Sequence, residues 1–212
     1  MYRAVLFDLD GTLVDTEPRS RAAWSRLLTR HGLGDDGPEP NDFAGRPPRE
    51  VLREHLHHFP GHTVDDLLAE VTGYVSDPDM PAARPVPGAV AYVRRLAAAG
   101  VPLGVVTSGS REYATGELRA AGLLDLLDTL VTSDDVTAGK PDPEGYLAGC
   151  RALGVDPAEA VVFEDAPAGI AAAKRAGAFC VALTTGHAPQ ALAPADLILA
   201  DLTQASWPLA AT

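Results

Sequence analysis

Four short segments of the chain each end an apolar run in polar side chains that suit the handling of a phosphoryl group. The segments are residues 5–12, 105–110, 139–141 and 161–165. Together they supply a pair of aspartates, a hydroxyl, an amine and a second acidic pair. These are the groups that a magnesium-assisted phosphate-transfer site requires.

Asp8 is the candidate nucleophile of such a site. Hydrolysis of a phosphate monoester is slow because the nucleophile must approach a dianion and the leaving alkoxide is poor. A carboxylate nucleophile divides the reaction into two steps through an acyl phosphate. Its own charge repels the substrate, so we expect compensating charge from Mg²⁺ and from the amine of Lys140. Asp165, with Glu164 beside it as a further candidate ligand, would complete the metal site.

Asp10 lies two residues after Asp8 and is the candidate general acid and base. From that position its carboxyl can protonate the leaving oxygen and then deprotonate the water of the second step. Ser108 is expected to hold the phosphoryl oxygens, together with the N–H groups of Gly109 and Ser110 at the start of a helix.

Each of these residues also has a purely structural interpretation. Asp10 and the glycine after it can form a simple turn, and Ser110 and Asp165 are good helix N-caps. Lys140 can be a solvated loop lysine, and Asp8 can be an edge carboxylate that is bonded to backbone. The shared position of the residues favours the chemical interpretation, because all of them fall at the carboxyl ends of predicted strands, where open parallel sheets bind ligands.

The elements that must position these residues alternate between strand and helix in the second part of the chain. Apolar runs predict strands at residues 3–9, 102–107, 127–132, 160–163, 178–183 and 197–199, and helical spacing predicts helices at 88–99, 110–122, 142–154 and 167–176. Such alternation predicts an α/β class, with a Rossmann-like parallel sheet core covered by helices on both faces.

The domain organisation follows from the isolated first strand. Residues 1–14 cannot fold alone, so we expect them to join residues 85–212 in one discontinuous α/β catalytic core. Residues 15–84 are then an inserted all-α cap domain, with three helices predicted before a proline-rich extended connector at 76–88. Because the insertion begins directly after the acidic pair, it is placed to act as a lid.

Composition excludes several classes of partner. The chain has 212 residues, 46% of them apolar, and a formal charge of −12, so a nucleic-acid backbone would be repelled. No apolar run approaches the roughly 18 residues of a membrane helix, and the start shows no signal-peptide core. The only cysteines, Cys150 and Cys180, are expected to be core residues of a cytoplasmic protein.

A group of histidines raises a zinc hypothesis. The residues are His55, His57, His58 and His62. Two of them can share a helical face, but no cysteine or acidic residue lies at ligand spacing. A histidine cluster on the surface of the lid is the favoured interpretation.

At the level of motifs, the chain resembles the haloacid dehalogenase-like hydrolase superfamily. The motifs are residues 7–15, 107–110, 139–143 and 163–170, in the order typical of that superfamily and with the insertion where its helical C1 cap lies. The resemblance implies Asp8 as nucleophile, Asp10 as acid and base, and Ser108 and Lys140 on the phosphate. It also implies Mg²⁺ on Asp8, the Asp10 carbonyl and Asp165. The true dehalogenases lack the second acid of the first motif, so Asp10 favours phosphate esters.

Within that superfamily the chain is similar to the β-phosphoglucomutase-like branch, and within the branch to its sugar-phosphate and glycerol-phosphate phosphatases. Mutases of the branch carry a histidine in the first cap helix, where this chain has Ser20. Candidates for contacts with substrate hydroxyls or a second anion are Glu17, Arg46, Arg49, Ser110 and Arg111, and a solvated surface charge is the alternative for the charged ones.

The sequence thus predicts a Mg²⁺-dependent phosphatase of small phosphorylated sugars or polyols, acting through an aspartyl-phosphate intermediate. A monomer or weak dimer is expected. A β-phosphoglucomutase-type mutase is the nearest alternative, and a non-catalytic phosphosugar-binding sensor is an alternative from another class.

Overall fold

A six-stranded parallel sheet forms the centre of the larger part of the chain. The computed structural model describes residues 2–33, 37–43, 48–75, 77 and 79–208. The strands are β1 (Ala4–Phe7), β2 (Val14–Asp15), β3 (Arg84–Pro85), β4 (Leu103–Val106), β5 (Thr129–Val131), β6 (Ala160–Glu164), β7 (Phe179–Leu183) and β8 (Leu197–Leu199). The sheet has the order β5-β4-β1-β6-β7-β8, with every neighbouring pair parallel.

The first strand is central because its side chains are apolar on both faces. Ala4–Phe7 is fully buried and pairs with β4 on one side and β6 on the other. Strands covered on both faces lack the polar alternation of half-exposed ones. The predicted α/β class with a Rossmann-like parallel core is confirmed.

Helices connect the parallel strands. They are α1 (Glu17–Arg30), α2 (Pro48–His55), α3 (Val64–Val75), α4 (Ala89–Ala98), α5 (Arg111–Ala120), α6 (Glu144–Leu153) and α7 (Pro167–Ala176). Gly154 and Gly177 end α6 and α7 with φ of +67° and +91°, a conformation that favours glycine. The four later helices agree with the helices predicted from apolar spacing to within a few residues.

The chain divides into two compact units. One contains the residues up to Asp15 and from Arg84 onward, and the other is Thr16–Ala83, against predicted boundaries after residues 14 and 84. The second unit contains α1 to α3 around a core of its own, in which Trp24 stacks on Phe43 with ring centroids 3.8 Å apart. Its role as a cap stays a prediction.

One part of the predicted connector is a strand after all. The antiparallel pair β2–β3 joins Val14 to Pro85 and Asp15 to Arg84. The interpretation of 76–88 as a connector without secondary structure is therefore wrong at residues 84–85. A proline-rich segment is already extended, so it needs only a partner to become a strand. Among the described residues, no helix is both long enough and apolar enough to cross a membrane.

Candidate active site

Two neighbouring strands bring the acidic residues to one edge of the sheet. Asp8 directly follows β1, whereas Glu164 ends β6 and Asp165 comes next. The register pairs Phe7 with Phe163, and the Asp8 N–H donates to the Phe163 carbonyl at 2.9 Å. The three carboxylates therefore meet at the carboxyl end of the sheet, as the sequence predicts.

Lys140 reaches the same place from the loop before α6. Its Nζ lies 2.5 Å from Asp8 Oδ1 and 2.6 Å from Glu164 Oε1, and it also donates to the Val106 carbonyl at 3.1 Å. Burial alone would lower the pKa of the amine, but the charges of Asp8 and Glu164 outweigh it and raise that pKa above its usual range. Lys140 is therefore a fixed cation, and the solvated-loop interpretation is wrong.

Glu164 is held from several sides. Besides the amine, its carboxylate accepts from the buried Tyr146 hydroxyl at 2.7 Å and from the N–H groups of Asp165 and Ala166 at 3.1 and 3.2 Å. The side chain is only 1% exposed. Tyr146 is a site residue that the sequence analysis missed, because no motif spacing relates it to a residue 18 positions later.

A metal-binding arrangement is visible in the carboxylates. Asp8, Glu164 and Asp165 are all buried, and each offers an oxygen within 4.8 Å of the others. Gly11 (φ +79°) makes room for this group, since a Cβ there would lie 2.1 Å from the Asp165 carboxylate. A donor set of carboxylate oxygens is the kind that Mg²⁺ prefers. The residues present therefore fit this ion.

Two of these carboxylates, Asp8 and Asp165, have raised pKa values. Burial raises the pKa of Asp8 well above its usual range, and the charges of Glu164 and Asp165 raise it further against the opposing effect of Lys140. Burial, assisted by the charge of Glu164, raises the pKa of Asp165 to about 7. A cation bound among these carboxylates would favour the ionised forms of Asp8 and Asp165.

Asp10 faces a tyrosine that the sequence analysis did not select. The Tyr113 hydroxyl donates to Asp10 Oδ1 at 2.5 Å, although 103 residues separate the two in the chain. Ser110 caps α5, and its side-chain oxygen accepts from the Tyr113 N–H at 3.3 Å. No local spacing relates Tyr113 to Asp10, so the sequence carried no signal for this contact.

The predicted phosphate-binding loop follows β4. Ser108 is exposed there, whereas the Gly109 N–H already donates to Thr107 Oγ1 at 3.0 Å. Ser110 is the N-cap of α5, as its structural interpretation predicted, but Asp165 is not a cap, because Ala166 occupies that position at α7. Ser108 is thus the member of the loop whose position best suits contact with a ligand.

A cavity opens beside this loop. It has a volume of about 170 Å³, and its wall includes Thr107, Ser108, Lys140 and Tyr146. Two of the predicted phosphate-binding residues therefore border space large enough for a small chemical group.

Comparison with known proteins identifies the family. The family model described as haloacid dehalogenase-like hydrolase matches residues 2–177. The chain belongs to this family. The hydrolase is 56% identical over 208 residues to the validoxylamine A 7′-phosphate phosphatase of Streptomyces hygroscopicus subsp. limoneus, with 98% of each chain covered. It is 37% identical over 204 residues to hexitol phosphatase A of Escherichia coli strain K12, covering 95% of this chain and 92% of that one.

Solved structures place the hydrolase in the β-phosphoglucomutase-like branch. A protein from Thermotoga maritima, provisionally described as a β-phosphoglucomutase, matches with a TM-score of 0.75 and 30% identity over 94% of both chains. The family model and the phosphatases among its relatives make the hydrolase a phosphoric monoester hydrolase, as the sequence predicts.

The predicted specificity residues of the hydrolase mostly have structural partners. Within the helical unit, Glu17 lies 3.8 Å from Arg21 and Arg49 lies 2.7 Å from Asp65. Arg46 falls outside the described residues. For Glu17 and Arg49 the surface-charge interpretation therefore describes what is seen, and contact with substrate stays a prediction.

Arg111 has a structural role in the sheet unit of the hydrolase. Its guanidinium lies 2.5 Å from Asp135 and also donates to the Leu130 carbonyl at 3.2 Å. This contact, together with hydrogen bonds from Thr132, lowers the pKa of Asp135 to about 2. Arg111 thereby joins α5 to the segment after β5, and a second role in substrate binding would require it to leave these partners.

The histidines of the helical unit lie close together, as a surface cluster would. The rings of His55, His57 and His58 lie 4.0–6.4 Å apart, centroid to centroid. The acidic triad is the single group of three candidate metal ligands within the described part of the hydrolase. The zinc hypothesis therefore receives no support.

Proposed function

We propose that this hydrolase is a Mg²⁺-dependent phosphatase of small phosphorylated sugars or polyols that acts through an aspartyl phosphate on Asp8. The observation that carries the proposal is the contact of Lys140 with both Asp8 and Glu164 beside the acidic triad. The site thus combines an attacking carboxylate with a fixed amine at hydrogen-bond distance. Hard oxygen ligands lie beside them.

The chemistry of the first step follows from these positions. An Asp8 carboxylate oxygen attacks phosphorus as the bond from phosphorus to the ester oxygen breaks, and Asp10 gives its proton to the departing alkoxide. Lys140 offsets negative charge on Asp8 and on the transferring group. Ser108 donates its hydroxyl to a phosphoryl oxygen.

The second step uses the same residues. Asp10, now ionised, takes a proton from water, and the resulting hydroxide attacks the phosphorus of the acyl phosphate. The bond from Asp8 to phosphorus breaks, which releases inorganic phosphate and restores the Asp8 carboxylate. Asp8, Asp165 and the Asp10 carbonyl, with Glu164 as a further ligand, would hold Mg²⁺, which when bound supplies charge that offsets repulsion between the carboxylates and the phosphate dianion.

The substrate class is supported by the relatives. The 56% identical relative is named for validoxylamine A 7′-phosphate and the 37% identical one for hexitols. A hexitol is a small polyol, and a further relative, from Escherichia coli strain K12, is named for fructose 1-phosphate, a sugar phosphate. We extend this class to the hydrolase, with validoxylamine A 7′-phosphate as the first compound to test.

Other features of the proposal concern partners and location. The charge of −12 opposes binding to nucleic acid. We propose a small phosphorylated metabolite as the sole kind of substrate, no membrane partner, a monomer or weak dimer, and a cytoplasmic site of action.

A phosphate-release assay tests the proposed function. The panel contains validoxylamine A 7′-phosphate and hexitol, hexose, pentose and glycerol phosphates, each with Mg²⁺ and with a chelator. We expect Mg²⁺-dependent release from at least one sugar or polyol ester. Rearrangement of a hexose 1-phosphate without release would support a mutase, and tight binding without turnover would support a sensor, so either result would contradict the proposal.

A further inference from the structure

A tyrosine on the first turn of α5 contacts the proposed acid and base. The Tyr113 hydroxyl donates to Asp10 Oδ1 at 2.5 Å. We propose that Tyr113 is a positioning residue that orients the Asp10 carboxyl toward the leaving-group oxygen. This inference rests on the proposed function, because it assigns a role within the acid step of that reaction.

The Tyr113 ring packs against the loop before α5. A Cβ at residue 109 would lie 2.7 Å from the Tyr113 ring, so Gly109 leaves the space that the ring occupies. Ser110 holds the backbone of Tyr113 through its capping hydrogen bond. Both neighbours therefore restrict where the tyrosine ring can lie, and with it the direction from which its hydroxyl meets Asp10.

The first step requires the Asp10 carboxyl group to hold a fixed position. General-acid catalysis requires the carboxyl to lie within hydrogen-bond distance of the leaving oxygen as the bond to phosphorus breaks. A carboxyl group can rotate about the bond that joins it to Cβ, and the hydrogen bond from Tyr113 to Oδ1 restricts that rotation. Tyr113 keeps its own proton throughout, and the proton that reaches the alkoxide comes from Asp10.

Esters with different leaving groups separate this role from a structural one. Departure of 4-nitrophenolate needs little protonation, whereas departure of a sugar alkoxide needs a well-placed acid. The value of kcat/KM reports steps up to the first irreversible one, which is transfer of the phosphoryl group to Asp8. A loss of orientation at Asp10 therefore lowers kcat/KM for an alkyl ester. It leaves kcat/KM for the nitrophenyl ester nearly unchanged.

The experiment compares Tyr113→Phe with the parent on mannitol 1-phosphate and on 4-nitrophenyl phosphate, both at saturating Mg²⁺. We expect kcat/KM for mannitol 1-phosphate to fall by about tenfold, the upper end of what one hydrogen bond between neutral groups contributes. The value for 4-nitrophenyl phosphate should stay within about twofold. In an Asp10→Asn background, the same substitution should change neither value by more than about twofold.

Tyr92→Phe is the matched control. The Tyr92 ring is buried in the same unit, and its hydroxyl donates to the Ser206 carbonyl at 3.2 Å. The control also removes one tyrosine hydroxyl, so we expect it to alter the ratio of the two kcat/KM values by less than about twofold.

The outcomes separate the inference from the proposed function. Equal losses on both esters with Tyr113→Phe would assign Tyr113 a structural role, and a gain on mannitol 1-phosphate would show that it holds Asp10 away from the substrate. Either result overturns the inference and leaves the proposed function intact. If the parent releases phosphate from 4-nitrophenyl phosphate but from no alkyl ester, the proposed function fails and the inference fails with it.

Discussion

At the scale of single residues, the Lys140 amine lies between two carboxylates in a buried position. Its side chain is 13% exposed and those of Asp8 and Glu164 are 11% and 1% exposed. Charges in such surroundings interact strongly, and the removal of one partner leaves the others without compensation. The contacts of Lys140 therefore affect both the folded state and the reaction.

Replacement of Lys140 tests this double role. We expect Lys140→Met to lower kcat on the best sugar phosphate at least about 100-fold, because it removes a preorganised cation. The free energy of unfolding without metal should fall by about 3–5 kcal/mol, because two buried carboxylates lose their partner. Phosphate release and urea denaturation measure the two effects.

Lys174→Met is the control for that variant. Lys174 pairs with Asp196 at 2.6 Å, and the two side chains are 37% and 28% exposed. A partly exposed pair contributes about 1 kcal/mol or less. Activity should be unchanged, and a loss equal to that of Lys140→Met would contradict the special role of the buried amine.

At the scale of elements, the first turn of α7 packs directly on Glu164. A Cβ at Gly169 would lie 1.7 Å from Glu164 Oε1, which is closer than atoms can approach. The helix therefore needs glycine at this position for the carboxylate to reach both the Lys140 amine and the Tyr146 hydroxyl.

Two helix-interior glycines form a matched pair for this prediction. Gly169→Ala should displace Glu164 and cost about 1–3 kcal/mol of stability, with a loss of activity. A Cβ at Gly116 in α5 would meet no neighbouring side chain of the described residues within 4 Å. Gly116→Ala should therefore stabilise the protein by about 0.5–1 kcal/mol and leave activity unchanged. Thermal melts and phosphate release measure both, and equal behaviour of the two variants would refute the close-packing argument.

Much of the arrangement of elements was predictable from local pattern. Apolar runs located the central strands, and Gly154, the last residue of the predicted helix 142–154, marked the end of α6. The strand β3 was missed because Arg84–Pro85 is exposed and therefore has no apolar pattern. It is a strand only through its pairing with Val14 and Asp15.

The candidate site was predictable to a different degree. Asp8, Lys140, Glu164 and Asp165 follow predicted strands or belong to recognisable motifs, and the structure brings them together. The tyrosines at 113 and 146 were missed because their hydroxyl contacts depend on where two helices pack, and no local spacing encodes that. The partners of Arg111 were missed for the same reason.

At the scale of the whole molecule, the acidic triad links folding stability to metal and pH. Asp165 has a folded-state pKa of about 7 against an ordinary value of 3.8. Because the pKa is raised in the folded state, the stabilising contribution of this carboxyl is fully present below pH 3.8 and is lost as pH rises through about 7. Without metal, the contribution of Asp165 to the free energy of unfolding is therefore expected to fall as pH rises from about 4 through about 7.

Magnesium should reverse this loss. We expect Mg²⁺ to raise the Tm of the parent more at about pH 8 than at about pH 5, because protons compete with the ion for the carboxylates. Asp165→Asn should show a much smaller shift at both pH values, since one ligand charge is gone. Scanning calorimetry with Mg²⁺ and with a chelator measures this, and an equal shift in parent and variant would contradict a metal site at the triad.

The most direct measurement is to locate the phosphoryl group on the protein during turnover. The enzyme is mixed with its best substrate and Mg²⁺, quenched in acid and analysed by peptide mass spectrometry, beside Asp8→Asn. The account predicts a phosphoryl group on Asp8 of the parent, none on the variant, and a loss of at least about three orders of magnitude in the turnover of the variant. An unmodified Asp8 in the parent, together with a variant that keeps a rate within about tenfold, would contradict it.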